Sequence, residues 1–232
     1  MMSESPQRTL GPALREFFGV PFRKQTYRHL AYLVLALPLG LVYFTGVAIG
    51  LSTGIGLAVT LVGIPVVILT LIAGVGAAGF EAKLTEWLLD VQVNPPRSLH
   101  AFSRNYSSLD DVVLALKELV TTPTTWTGIL LLPLKLAFGI IAFSALMVAG
   151  TLSWTLIFAP VYYELPGFTY TIGPYLVDSI GEAVALSGAG IFVMLIALHI
   201  LNGLAKFGGF TTAALLGTES GQPNQEPMEI EE

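Results

Sequence analysis

The segment LHILNGLAKF, from Leu198 to Phe207, carries three polar side chains in an otherwise apolar run. They are His199, Asn202 and Lys206, and the spacing puts Asn202 and Lys206 on one face of a helix. A histidine titrates near neutral pH, and an amide in an apolar region needs a hydrogen-bond partner. These residues are therefore candidates for sensing or coupling, and hydrogen bonding between helices is the simpler alternative.

A second candidate region lies between Pro160 and Val184. It holds three carboxylates and five aromatic residues but no Lys or Arg. Glu164, Tyr170 and Asp178 are the candidates for binding a cation or a small ligand there. An aromatic belt that rests on lipid headgroups is the alternative explanation of the tyrosines.

No arrangement of residues in the sequence favours catalysis. It contains no His-x-x-x-His pair, no phosphate-binding glycine loop and no nucleophile elbow. The chain contains no cysteine, which excludes disulfides and thiolate metal sites. We therefore expect a protein that is not an enzyme, uses no cofactor and binds no nucleic acid.

Long apolar helices must position these candidate residues. Charged residues make up 12% of the 232 positions, about half of their usual share in soluble domains. They are missing from residues 30–80 and 183–205, and Lys135 is the only one in residues 119–163. One membrane crossing needs about 20 helical residues, so the first gap holds two spans and each other gap holds one. The predicted spans cover residues 30–51, 56–79, 129–151 and 186–206.

The expected fold is all-α and integral to the membrane, with one four-helix domain over residues 30–217. Residues 1–29 precede it, and residues 218–232, with five Glu and no basic residue, form a disordered acidic tail. Basic residues occur before the first span, between the second and third, and at the end of the fourth. By the positive-inside rule, both termini and the middle loop are cytoplasmic in the cell membrane. Lys135 is expected to snorkel back to the same side.

The four spans repeat as two hairpins that run in the same direction, joined outside the membrane by short loops. A shift of 99 residues aligns LGLVYFT (39–45) with FGIIAFS (138–144). A shift of 127 residues aligns Gly63 with Gly190. Because both copies begin and end on one side, the expected symmetry axis lies along the membrane normal.

A ladder of small residues runs along the first span at Gly46, Gly50 and Gly54. Such a face lets another helix approach closely. Packing within the bundle would use this face, and homodimerisation is the alternative.

Two segments beside the spans carry an apolar stripe and are expected to be amphipathic cytoplasmic helices. In the first, residues 80–90, the stripe consists of Phe80, Leu84, Trp87 and Leu88, with Glu81 and the other charges mostly elsewhere. In the second, residues 109–120, it includes Leu109, Val112 and Leu116. Either stripe could anchor the chain to the lipid bilayer or dock a cytoplasmic partner.

The sequences TTPTTW, FAPVYYELP and LHILNGLAKFGGFTTAALLG resemble a known family. It is the sensor domain family of bacterial and archaeal membrane proteins, a four-helix domain often found before histidine kinases. The resemblance covers about residues 25–217 and implies a membrane signal-input module. No kinase sequence follows Gly217, so we expect a relay to a separate cytoplasmic partner such as a histidine kinase. The alternative is a small oligomeric transporter or a lipid-handling membrane protein.

Overall fold

The structure, a computed structural model, describes residues 17–93, 109–163, 165 and 171–217. The α-helices of these residues are α1 (Lys24–Gly56), α2 (Gly63–Leu89), α3 (Leu109–Thr121), α4 (Pro123–Ile157), α5 (Ala159–Tyr163) and α6 (Ile180–Leu216). Short 3₁₀ helices cover Val20–Phe22 and Ala58–Thr60. Strands β1 (Thr171–Ile172) and β2 (Tyr175–Leu176) pair antiparallel.

Local sequence signals mark the starts of the last two long helices. Pro123 occupies the first turn of α4, where its missing N–H is not needed. Before α6, the hydroxyl of Ser179 accepts a hydrogen bond from the backbone N–H of Glu182 at 3.3 Å. The Glu182 carboxylate accepts in turn from the N–H of Asp178 at 3.3 Å. This is a capping box with the return bond displaced by one residue.

Four of these helices are long and apolar enough to cross a membrane. They are α1, α2, residues Thr125–Ile157 of α4, and α6, with 33, 27, 33 and 37 residues. Only 17–33% of the most apolar window of each is buried within the protein. The exposed residues, such as Leu69, Val148 and Phe192, form an apolar surface too large to face water. The predicted all-α, multi-pass membrane fold is confirmed, and the helices extend beyond the predicted spans.

The helices α1 and α4 form the centre of the bundle, with α2 packed beside α1 and α6 beside α4. Two glycines make the central crossing. A Cβ on Gly40 would lie 2.6 Å from Cα of Leu136, and a Cβ on Gly139 would lie 2.6 Å from the carbonyl oxygen of Ala36. Because no side chain fits at such distances, the two backbones can approach this closely only at glycine.

The two hairpins make matching contacts. The glycines of the central crossing are related by the shift of 99 residues that aligns the first and third spans. Gly63 and Gly190, related by the shift of 127 residues, also have corresponding neighbours. Gly63 lies against residues 57–58 and Gly190 lies against residues 156–157, which are again 99 residues apart. The duplication of the hairpin itself stays a prediction.

The helix α2 continues without a break through residues 80–89. The sequence predicts there an apolar stripe of Phe80, Leu84, Trp87 and Leu88 that contacts lipid or a cytoplasmic partner, with Glu81 mostly elsewhere. Phe80 and Trp87 are 53% and 69% exposed and so are open to such a contact, whereas Leu88 is buried in the bundle together with Glu81 and Thr85. Contact of the exposed residues with lipid or with a partner stays a prediction.

The helix α3 is separated from α4 by the single residue Thr122. Its Leu119 is buried against Leu71 and Val75 of α2, while Leu114 is largely exposed. The predicted docking residues Leu109, Val112 and Leu116 have side chains outside the described ones. Docking on this helix therefore stays a prediction.

Candidate functional site: a buried charged cluster

Glu81 of α2 and Lys135 of α4 form an ion pair inside the bundle. Their side chains are 0% and 3% exposed. Nζ of Lys135 also donates a hydrogen bond of 2.7 Å to the hydroxyl of Tyr32 on α1, and it lies 3.9 Å from the centre of the Tyr32 ring. One ammonium group thus links three helices. We call Glu81, Lys135 and Tyr32 the charged cluster.

The expectation that Lys135 snorkels to the membrane surface is wrong. Lys135 lies twelve residues after Pro123, roughly 18 Å along α4 at 1.5 Å per residue. Glu81 meets it at this depth, eight residues before the end of α2. A lysine that is paired with a carboxylate in the interior does not need to reach water.

The small-residue face of α2 explains how Glu81 enters the bundle. Gly74, Ala78, Glu81 and Thr85 recur at helical spacing, and all four are buried. A carboxylate on such a face points between helices that pack closely. Removing one partner of a buried pair typically costs about 3–5 kcal/mol, because the other charge is left unpaired. The charged cluster therefore holds α1, α2 and α4 in one arrangement.

Three polar atoms beside the ion pair have no hydrogen-bond partner among the residues that the structure describes. They are Oε2 of Glu81, the hydroxyl of Tyr43 and the hydroxyl of Thr85, and all are buried. Both hydroxyls lie near the Glu81 carboxylate without reaching hydrogen-bond geometry. A buried polar atom without a partner costs about 1–3 kcal/mol. A hydrogen-bonding group placed between these atoms would therefore be stabilised.

A second buried polar group joins α1 to α6. Nδ2 of Asn202 donates to the hydroxyl of Thr26 at 3.3 Å, which leaves Oδ1 to accept from Nδ1 of His29 at 2.9 Å. Thr26 donates in turn to the carbonyl oxygen of Val20 at 2.9 Å. His29 is 2% exposed, and its Nε2 has no partner in the described part of the chain. A neutral imidazole with its proton on Nδ1 satisfies this chain of bonds.

The predicted coupling residues of α6 separate in the structure. Asn202 faces α1, whereas His199 is exposed. Nδ1 of His199 bonds to the carbonyl oxygen of Leu195 at 2.8 Å, and its ring stacks on Phe17 with 4.7 Å between the ring centres. Lys206 is exposed. The structure therefore does not bring His199, Asn202 and Lys206 together as one site.

Three residues between α4 and α6 form the predicted ligand site, and the structure describes one of them, Asp178. Asp178 is exposed, and its backbone carbonyl accepts a hydrogen bond of 3.0 Å from the hydroxyl of Tyr163. Glu164 and Tyr170 lie outside the described residues. A site there stays a prediction.

Two of the three glycines of the predicted ladder face α2. A Cβ on Gly50 would lie 2.2 Å from Oγ1 of Thr70, and one on Gly54 would lie 2.4 Å from Cγ2 of Val67. A Cβ on Gly46 would meet nothing within 4 Å. The structure thus places Gly50 and Gly54 at the contact between α1 and α2, and Gly46 beside open space.

Sequence reasoning missed the pairing of Glu81 with Lys135 and the role of His29. A signal for the pair was present, because Lys135 is the only charge in residues 119–163 and a charge so isolated needs a partner. His29 gave no such signal, because it adjoins Arg28 in a basic segment whose composition is typical of a solvent-exposed one. Arg28 itself forms a two-bond ion pair with Asp90, at 2.8 and 3.0 Å.

Fold and site together define a multi-pass membrane protein of four helices with a charged cluster inside the bundle. A family model described as "Putative sensor" matches residues 4–216, and the chain belongs to this family. The resemblance drawn from the sequence motifs is thereby confirmed. No curated protein and no solved structure matches the chain at a significant level. The family and the four apolar helices support a membrane sensor module.

Proposed function

We propose that the chain is a sensor in the cell membrane that relays its signal to a separate cytoplasmic partner, such as a histidine kinase. Membership of the sensor family supports the sensing role. The buried pair of Glu81 and Lys135 carries the proposed route of the signal, because it connects the helices that would have to move.

The helices on either side of this pair, α2 and α4, lead directly to the segments that would pass the signal to a partner. The helix α2 is unbroken from Gly63 to Leu89, so a tilt of its apolar part moves residues 80–89 with it. The helix α4 follows α3 after one residue, so a shift of α4 is passed to α3. Packed helices switch between discrete arrangements and do not deform continuously. A stimulus that strengthens or weakens the pair would therefore change the position of α2 against α4.

The orientation in the membrane is inferred from the basic residues. The starts of α1 and α4 and the ends of α2 and α6 lie at one end of the bundle, which carries Arg28 and Lys206 and is called here the basic end. By the positive-inside rule the basic end faces the cytoplasm. Residues 80–89 and α3 would then be within reach of a cytoplasmic protein.

The distribution of buried polar residues favours a sensor over a transporter. In the described part of the chain, Ser153 is the one buried polar residue near the far end of the bundle. The others lie toward the basic end and are Thr26, His29, Glu81, Thr85, Thr125, Lys135 and Thr212. A transport route would need polar groups through the whole depth of the membrane.

Capture of the partner from crosslinked native membranes tests the relay. Wild-type protein is expected to retain a histidine kinase, and Leu116→Glu is expected to lose it, because a charge interrupts the predicted apolar stripe of α3. Lys117→Glu changes the charge of the neighbouring exposed position and serves as the matched control. Capture of no kinase by the wild type, or of the same kinase by Leu116→Glu, would show that the proposed relay is wrong.

A further inference from the structure

Two apolar grooves of similar size lie at corresponding places in the two hairpins. Groove 1 lies between α1 and α2 and has a volume of about 360 Å³. Groove 2 lies between α4 and α6 and has a volume of about 350 Å³. Under the shifts of 99 and 127 residues, Gly46, Thr70 and Ala73 of groove 1 correspond to Ala145, Ala197 and Ile200 of groove 2. The hairpins therefore offer the same groove twice.

The two grooves differ where they approach the basic end. Groove 1 is lined there by Tyr43, which is 8% exposed and whose hydroxyl has no partner among the described residues. The corresponding residue of the other hairpin is Ala142, and the residue that corresponds to Glu81 is Gly208. Groove 1 thus has a tyrosine at this end, with a carboxylate on the neighbouring turn of α2, whereas its counterpart has neither.

Groove 1 and Glu81 belong to the same helix, α2, although Glu81 does not itself line the groove. Gly74 and Ala77 line it, and Ala77 precedes Glu81 by four residues, which is one helical turn on the same face. Of the residues with an unpartnered buried atom near the ion pair, Tyr43 lines the groove, and Oε2 of Glu81 and the hydroxyl of Thr85 are buried outside its lining. The arrangement combines an apolar channel of ligand size with a small hydrogen-bonding end.

We propose that groove 1 binds a neutral lipophilic alcohol, with its chain in the groove and its hydroxyl between Tyr43 and Glu81. A hydroxyl both donates and accepts, so it would donate to Oε2 of Glu81 and accept from the Tyr43 hydroxyl. A charged headgroup is disfavoured, because Glu81 and Lys135 already neutralise each other and a further charge would be buried unpaired. The bound alcohol alters the hydrogen bonding of Glu81 and so acts on the ion pair.

This inference names the class of stimulus and rests on the proposed function for its biological meaning, but binding is measured separately. The purified full chain in nanodiscs is illuminated with a hexadecanol that carries a diazirine in its chain, and labelled peptides are identified by mass spectrometry. Label is expected in the α1 and α2 peptides that line groove 1. Unlabelled hexadecanol should compete, whereas hexadecyl methyl ether, which cannot donate a hydrogen bond, and palmitate, which is charged, should compete about tenfold less well.

Two variants locate the site. Gly46→Leu should remove the groove 1 label without a clash, because a Cβ at Gly46 meets nothing within 4 Å. Gly150→Leu makes the same change in a third groove, lined by α4, α6 and Leu30 of α1, where a Cβ again meets nothing within 4 Å, and it should leave the label unchanged. Tyr43→Phe should abolish the preference for the alcohol over the ether.

Each further outcome decides between the proposals. Equal competition by alcohol and ether in the wild type would mean that groove 1 holds lipid chains only, and preference for palmitate would mean a charged-lipid site. Either result overturns the assignment. Specific alcohol binding that leaves kinase capture from membranes unchanged supports the site and counts instead against the proposed sensor function.

Discussion

Glu81 and Lys135 each occupy a position whose counterpart in the other hairpin has no polar group. Under the shifts of 127 and 99 residues they correspond to Gly208 and Ala36. The interface between α2 and α4 therefore carries an ion pair, while the equivalent interface between α6 and α1 has only small residues at those positions. At the residue scale, the two interfaces differ at these two positions, and only the interface between α2 and α4 gains a contact that depends on charge.

The interface between α6 and α1 carries polar residues at other positions along its helices. His29 and Asn202 meet there, and their counterparts are Gly128 and Val75. A neutral hydrogen bond between membrane helices contributes about 0.6–2 kcal/mol, less than the cost of breaking a buried ion pair. We therefore expect loss of one partner to destabilise the α2–α4 interface more than it destabilises the α1–α6 interface.

A double-mutant cycle tests whether Glu81 and Lys135 are coupled energetically. Lys135→Met and Glu81→Leu should each lower the free energy of unfolding by about 3–5 kcal/mol, because each leaves a buried charge unpaired. The double variant should recover much of that loss. Reversible unfolding in mixed micelles, followed by circular dichroism, measures all three.

The exposed pair of Arg28 and Asp90 supplies the control for this cycle. Arg28 is 36% and Asp90 is 60% exposed, so Arg28→Met should cost no more than about 1 kcal/mol. Additive losses in the Lys135→Met and Glu81→Leu double variant would mean that the two residues are not coupled, and the charged cluster would then have no special energetic role.

At the scale of the helices, close packing at glycine determines which faces meet. The central crossing of α1 and α4 depends on Gly40 and Gly139, and the contact of α1 with α2 depends on Gly50 and Gly54. Glu81 faces the bundle because it continues the small-residue face of α2. In the proposed signal route, the unbroken α2 would carry a movement of its apolar part to residues 80–89.

Alanine substitutions at single glycines test the crossing. Gly40→Ala and Gly139→Ala should each lower the free energy of unfolding by about 1–3 kcal/mol, because the added methyl would overlap backbone atoms of the facing helix. Gly46→Ala adds the same group where nothing lies within 4 Å. It should be neutral or stabilise by up to about 1 kcal/mol through helix propensity. Thermal unfolding in detergent would contradict the packing if all three variants behaved alike.

For the whole molecule, the sequence was sufficient for the number of spans and insufficient for their contacts. The gaps between charges predict four helices because hydrocarbon excludes unpaired charge along a whole span. They do not reveal that Glu81 is buried, since that depends on how α1, α2 and α4 are aligned in depth. The buried role of His29 is hidden for the same reason: its partner Asn202 is 173 residues away. The central crossing was hidden as well: the shift of 99 residues aligns Gly40 with Gly139, but nothing in the sequence shows that the two helices cross at these glycines.

The orientation of the whole molecule is the remaining prediction, and single cysteines in this cysteine-free chain can test it. Thr60 and Thr171 lie exposed at the far end of the bundle, and Lys117 lies exposed at the basic end. If Lys and Arg hold the basic end in the cytoplasm, Thr60→Cys and Thr171→Cys should react with an impermeant maleimide in intact cells. Lys117→Cys should react only after the membrane is permeabilised. The reverse pattern would invert the molecule and place α3 out of reach of a cytoplasmic kinase, and labelling of Thr60→Cys and Lys117→Cys alike in intact cells would contradict the predicted topology itself.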